Sequence, residues 1–438
     1  MGWGERRDGP GGQNAGDTPR APELTADGVP VASGEATRAE SAAGAPPAEG
    51  AERPVDGDGS GKPAGENTDA ADPPEPPLRV AVIGTGFGAA VHIPALQALP
   101  ETEVVAVCAR RQERALAVAA QYRIPLAATD YRALMREEDI DAVVIATPPY
   151  LHHQMTLAAI DAGKHVLCEK PMARNLAEAR DMVKMARGAG VVAMVNHELR
   201  FQPVRARIKE LIDEGYLGQP QAATLTAFRS SLADPNGRPF GWLMERDKAG
   251  GMLGATGSHH VDALRWWLGE VKGVAGATAT MVRRRRLPDG VGMASVDADD
   301  NFAFVLRFAS GALGTVHVTA TAAVDSGEEI LLAGSEGMLM AHGDGALYGA
   351  RRGGGLEELA VPDAADDGDD LPDFDHPLVR PTARLMRRWV AAIRAGEPSP
   401  SPSFADGEKV QEVLDGVARS SQQGRWIDTS GTRWPVSA

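Results

Sequence analysis

Gly84, Gly86 and Ala89 follow the apolar run Val80, Ala81, Val82 and Ile83 and stand at the three small-residue positions of G-x-G-x-x-G/A. That spacing suits the holding of a pyrophosphate. The first glycine makes a tight turn, the second lets backbone N–H groups approach the anion, and the third small residue lets the following helix pack closely on the strand. The phosphates are expected at the helix N-terminus, where unpaired N–H groups and the helix dipole favour negative charge. The whole turn, Gly84, Thr85, Gly86, Phe87, Gly88 and Ala89, is therefore the expected dinucleotide cradle. A second strand, Val104 to Ala109, ends in Arg110 and Arg111. A dinucleotide fold places there the residue that reads the adenosine ribose. A carboxylate accepts from the 2′-OH of NAD(H), whereas an arginine neutralises the 2′-phosphate of NADP(H). Two arginines and no acid favour NADP(H). NAD(H) stays open if both side chains are only the exposed first turn of the helix Gln112 to Gln121.

Holding such a turn in place takes a sheet, and the chain supplies one. Further apolar strands are expected near Ala127, from Asp141 to Thr147, from His165 to Cys168 and from Val191 to Asn196, with helical stretches between them. Pro94 is expected to kink or restart the first of these helices. Strands alternating with helices imply a doubly wound parallel sheet, which binds ligands at the carboxyl ends of its strands. Thr147, Lys170 and Asn196 fall at such ends. Past Asn196 the rhythm changes. A glycine turn and amphipathic helix span Gly250 to Leu268. Strand-like segments Gln221–Phe228, Gly276–Val282, Phe302–Phe308, Gly314–Thr321, Glu329–Ala333 and Gly337–Ala341 recur with few helices between them. That pattern describes a mostly antiparallel sheet covered on one face. Helices near Thr382–Ala395 and Asp406–Ser420 finish the chain, after an acidic surface loop from about Pro362 to Asp375. The fold class is α/β, with a Rossmann domain at 78–197 and a substrate-binding α+β domain with an open sheet at 198–438. No internal repeat is evident.

Residues 1 to 77 contain one aromatic, Trp3, among Gly, Ala, Pro, Glu and Asp, too little apolar surface to offset ordering, and read as a disordered leader. The leader carries a net charge of −9 out of the chain's −15, and seven aspartates between Asp363 and Asp375 account for the rest of the excess. Neither nucleic-acid binding nor an acidic catalytic surface follows. The basic run Arg283 to Arg286 reads as a solvated strand end. Cys108 and Cys168, assigned to neighbouring buried strands, are too few for a disulfide scaffold and fit a reducing cytoplasm. Arg6 and Arg7 are not followed by the apolar region of an export signal, and no run is apolar enough for a membrane span. No metal site is expected.

Four motifs in order resemble the glucose-fructose oxidoreductase/inositol dehydrogenase/MocA (Gfo/Idh/MocA) family. They are the turn at Gly84, Ala146-Thr147-Pro148 with His152 close behind, Gly163-Lys-His-Val-Leu-Cys-Glu-Lys-Pro171, and Gly250-Gly-Met-Leu-Gly-Ala-Thr-Gly-Ser-His-His-Val-Asp262. The resemblance covers residues 78 to 430. It implies hydride transfer between a nicotinamide cofactor and a hydroxyl-bearing carbon of a sugar, cyclitol or related molecule, and a homo-oligomer formed through the C-terminal sheet. It also implies a cis peptide at Lys170–Pro171, catalytic roles for Lys170 and His259, and a cofactor side completed by Thr147, Pro148, His152, Glu169 and Lys170.

The chemistry explains those roles. Oxidising an alcohol sends a hydride to the nicotinamide and a proton to a base. A histidine suits that base near neutral pH, while a lysine ammonium stabilises the developing alkoxide. One departure stands out. The family commonly has an aspartate four residues before the histidine, and this chain has Ala255. Asp262 lies on the face that could help, His260 is the alternative imidazole, and Arg200 is a candidate substrate contact. Ala255 also keeps two rivals open, a catalytically silent nicotinamide-binding sensor and a cofactor-assisted epimerase or lyase with no net redox change.

Overall fold

Strands β1 (Leu78–Ile83), β2 (Thr102–Cys108), β3 (Leu126–Ala128), β4 (Ala142–Ile145), β5 (His165–Cys168) and β6 (Ala193–Val195) pair throughout in parallel, in the order β3-β2-β1-β4-β5-β6. The central strands are apolar on both faces because helices cover both, and Val80 to Ile83, Ala142 to Ile145 and Val166 to Cys168 are all buried. This computed structural model describes residues 75–343, 345–362 and 370–429. The expectation for the leader lies, up to residue 74, outside the described residues. After Gly84 the chain makes a π-helical turn, Gly88–His92, and restarts as the helix Ile93–Gln97 with Pro94 in its first turn, as the sequence predicts.

A second sheet takes strands β7 (Pro220–Phe228), β8 (Val271–Ala279), β11 (Asn301–Phe308), β12 (Leu313–Thr319), β13 (Gly327–Gly334), β14 (Gly337–His342), β15 (Leu347–Arg351), β16 (Glu357–Glu358) and β17 (Ile427–Asp428). Their order is β16-β15-β14-β13-β7-β12-β11-β8-β17, antiparallel except where β7 meets β12. The helices Ser258–Leu268 and Phe404–Gln423 supply apolar residues to the core on one face, including Val261, Leu264, Trp267, Val410 and Leu414. Alternate residues on the central strands, among them Thr224, Phe228, Leu313, Thr315 and His317, are exposed.

Three sequence expectations need correction. Cys108 on β2 and Cys168 on β5 are buried and free, but β1 and β4 separate their strands. The basic run is solvated at Arg283, Arg284 and Arg286 but not throughout: β9 (Arg284–Arg286) forms a hairpin with β10 (Met293–Ser295). Within it Arg285 is buried because its guanidinium donates to the carbonyls of Leu232 and of Asp234, the latter at 3.0 Å. The acidic loop, of which residues 363–369 lie outside the described residues, ends in anchored chain: Leu371 is buried, and Phe374 packs on the same core. Packing crosses residue 197. The helix Val379–Ala395 puts Leu385, Met386 and Trp389 into the core of the first sheet, and Trp389 Nε1 donates to the Val192 carbonyl. The described residues from Pro76 onward form one compact unit.

Candidate active site

The carboxyl ends of β1, β4 and β5 bring the expected residues to one edge. Gly84 has φ +114°, and a Cβ there would lie 2.2 Å from the Ala146 carbonyl oxygen, so only glycine lets the turn pass the end of β4. No side chain caps the helical turn that follows, and no acid sits in its first turn. Its N–H groups therefore suit an anion, and the cradle fits a dinucleotide. At the far side, Arg110 and Arg111 are exposed beyond β2. Arg114, which sequence reasoning missed, donates to the Thr85 carbonyl at 3.0 Å. Lys248 stands 5.8 Å from the Tyr150 ring centre and feels the charge of Arg110.

Glu169 is buried and fully engaged. It accepts from His92 Nε2 at 2.7 Å, from Asn196 Nδ2 at 2.8 Å and from the Lys170 backbone N–H at 3.1 Å. Burial opposes its charge, but the His92 hydrogen bond and the Lys170 ammonium prevail and hold its pKa down at about 2. Its carboxylate is spent on these donors within the protein. His92 is a second missed residue, and its signal was a histidine just inside the first helical turn. The Lys170–Pro171 peptide is cis, as the resemblance implies. The Lys170 ammonium lies 5.9 Å from the Phe87 ring centre, above the glycine turn.

His152 is fully buried, with ring nitrogens 2.7 Å from the Thr147 carbonyl and 3.1 Å from the Pro171 carbonyl. Both neighbours are acceptors, so the neutral ring donates its single N–H to one of them while sitting between the ends of β4 and β5. Burial lowers its proton affinity. Thr147 and Pro148 remain partly exposed at the rim.

From the other side comes the helix Ser258–Leu268, which begins as a π-helical turn, Leu253–Gly257. His259 on its first turn is nearly buried. Burial first, and then the positive charge of Lys170, push its pKa well below the ordinary imidazole range. Lys170 is thus near enough for its charge to act on His259. The His259 ring sits edge-on to His197 with centres 5.8 Å apart, and its Nε2 lies 3.7 Å from Glu198 Oε1.

The remaining candidates fall elsewhere. Arg200 grips Asp262 through Nε at 2.7 Å and Nη2 at 2.5 Å, and also donates to Ser401 at 2.7 Å. Both charges are buried and spent on each other, so neither is a free substrate contact and Asp262 does not support His259. His260 turns to the opposite side, 3.6 Å from Glu328, where burial takes its pKa down to about 4. Ala255 packs against the small apolar cluster of Leu232, Leu243, Met244 and Ala320.

Comparison with known proteins agrees with this geometry. Residues 78–197 match the Gfo/Idh/MocA oxidoreductase family with NAD-binding Rossmann fold, and residues 206–340 match the Gfo/Idh/MocA C-terminal domain. The chain belongs to the Gfo/Idh/MocA family. An uncharacterised oxidoreductase of Synechocystis is 33% identical, the match covering 80% of this chain and 96% of that protein. Levoglucosan dehydrogenase of Pseudarthrobacter phenanthrenivorans is 30% identical over 80% of this chain and 98% of its own length. A levoglucosan dehydrogenase structure in complex with NADH and L-sorbose superposes with a TM-score of 0.75 at 29% identity, covering 80% of this chain and 98% of that one. This Gfo/Idh/MocA member is a nicotinamide-dinucleotide-binding oxidoreductase of the dehydrogenase/reductase kind. Among the described residues no helix is long and apolar enough to cross a membrane.

Proposed function

We propose that this oxidoreductase transfers a hydride between NADP(H) and a hydroxyl or keto carbon of a small sugar, cyclitol or related polyol. What supports the reading is the placement of Lys170 just past β5 and of His259 beside Glu198 just past β6, near enough for the lysine's charge to act on the imidazole. The nicotinamide, when bound, supplies the hydride acceptor. Neutral His259, kept so by burial and by Lys170, takes the proton from the substrate hydroxyl. The Lys170 ammonium stabilises the alkoxide as it forms, and the network of His92, Asn196 and Glu169 fixes the backbone from which Lys170 projects. Thr147 and Pro148 line the cofactor rim.

The cofactor preference rests on Arg110, Arg111 and Arg114, with no acid at the end of β2. The levoglucosan dehydrogenase neighbour binds NADH, so this is where the present chain is proposed to differ. The exposed Thr, Leu and Phe positions on the open face of the second sheet support a homo-oligomer, testable by light scattering. The buried free thiols Cys108 and Cys168 support a cytoplasmic location.

The test is to mix the protein with NADP⁺ or NADPH and a panel of polyols, sugars and keto-sugars while following the reduced-nicotinamide absorbance. Net change supports the proposal. Tight cofactor binding without turnover supports the silent sensor, and product without net absorbance change supports the epimerase or lyase.

A further inference from the structure

Glu198 is the one carboxyl group beside His259 that nothing else claims. It lies in the short 3₁₀ turn Glu198–Phe201 that follows β6, is fully buried, and has no hydrogen-bond partner on either carboxylate oxygen. Its Oε1 is 3.7 Å from His259 Nε2, a separation that a small ring movement closes to hydrogen-bond length. Buried oxygens are costly to leave unpaired, so a group kept in this state points to a partner it meets during the reaction. The other carboxylate within reach, Asp262, is spent on Arg200, and Ala255 offers none.

We propose that Glu198 is the positioning partner of His259, holding the imidazole toward the cleft and setting its affinity for the substrate proton. This rests on the oxidoreductase reading and deepens it. The groups that face Glu198 are Glu169 and Lys170 from the end of β5 and Asp262 and His259 from the helix Ser258–Leu268, while Arg200 in its own turn is committed to Asp262. Burial first, and then the negative charge of Glu169, push the Glu198 pKa up to about 8, against the pull of Lys170. At neutral pH the carboxyl is therefore mostly protonated and His259 is a weak base. Once ionised, Glu198 accepts from His259 Nε2–H, which leaves the unpartnered Nδ1 to take the substrate proton and makes it the stronger base. Alcohol oxidation should then rise on the alkaline side as Glu198 loses its proton.

Two readouts separate this assignment from the reading beneath it. In the full chain loaded with NADP⁺, the isotope-labelled ring signals of His259 are expected to pass through a transition near the ionisation of Glu198. That transition disappears in Glu198→Gln and persists, shifted, in Glu198→Asp. With a polyol that is turned over, Glu198→Gln is expected to lower kcat roughly 10–100-fold and to abolish its alkaline rise, as loss of an orienting partner does. KM stays within about threefold, and Glu198→Asp recovers the rise. If Glu198→Gln keeps both the His259 transition and the pH profile of kcat, Glu198 is not the partner, even should His259→Ala abolish turnover. If the transition disappears but no polyol or sugar is turned over by the wild type, the pairing stands and the oxidoreductase reading falls.

Discussion

Glu169 and Glu198 are both buried glutamates at the edge of the same cleft, yet they hold opposite charge states. Glu169 receives three hydrogen bonds, from His92, Asn196 and the Lys170 backbone, and is held ionised with a pKa near about 2. Glu198 receives none and is held protonated, with a pKa of about 8. Burial raises both, so depth does not distinguish them. The number of donors does. The first ionises outright, and its charge then helps keep the second neutral, so the two titrate far apart.

The largest test of this contrast is to remove the groups the two carboxyls serve. His259→Ala and Lys170→Ala are each expected to lower kcat about 10²–10⁴-fold, with cofactor affinity, read by fluorescence titration, changed far less. Next is Glu169→Leu, which strands the buried donors of His92 and Asn196. It should cost roughly 1–3 kcal/mol in denaturant unfolding. In the wild type, the stability from Glu169 is present above its unfolded pKa of about 4.3 and is lost as pH falls toward 2. The Leu variant should lose that acid-side slope. Glu198 has the opposite sign. Its folded pKa lies above its unfolded one, so protein stability falls as pH rises from about 4.3 to about 8. Glu198→Gln is therefore expected to melt higher than wild type above pH 8, by on the order of 2–6 °C, and to lose the advantage below pH 5. A variant less stable than wild type at pH 9 would break the contrast. The smallest effect belongs to charges in water. Replacing both Arg110 and Arg111 by Ala should shift the kcat/KM ratio of NADP⁺ to NAD⁺ by about 3–30-fold, because exposed charges are screened. A wild-type preference for NAD⁺ would remove the basis of that prediction.

Features read from local pattern were legible in the sequence. The parallel strands show as runs apolar on both faces, and the glycine turn shows because Gly84 passes a carbonyl no Cβ could approach. Lys170 and His259 came from motif position. What local pattern could not supply was adjacency. Cys108 and Cys168 were read as neighbours, but nothing in either segment tells which strand it pairs with, and β1 and β4 lie between β2 and β5. Asp262 looked like the support of His259 because helical spacing puts it near, but Arg200 from another element reaches it first. Arg285 reads as a surface charge until the carbonyls of a distant loop converge on its guanidinium. Glu198 carried no signal, since a turn after a strand has no period that says which side chain points inward.

The return of the helix Val379–Ala395 to the core of the first sheet bears on how this protein is made. A ribosome adding ~5–20 residues per second finishes β6 many seconds before that helix emerges. Through that interval the nucleotide-binding half waits with an apolar flank bare where Trp389 will sit. The sheet that holds the glycine turn is closed only once the helix Val379–Ala395 has been made.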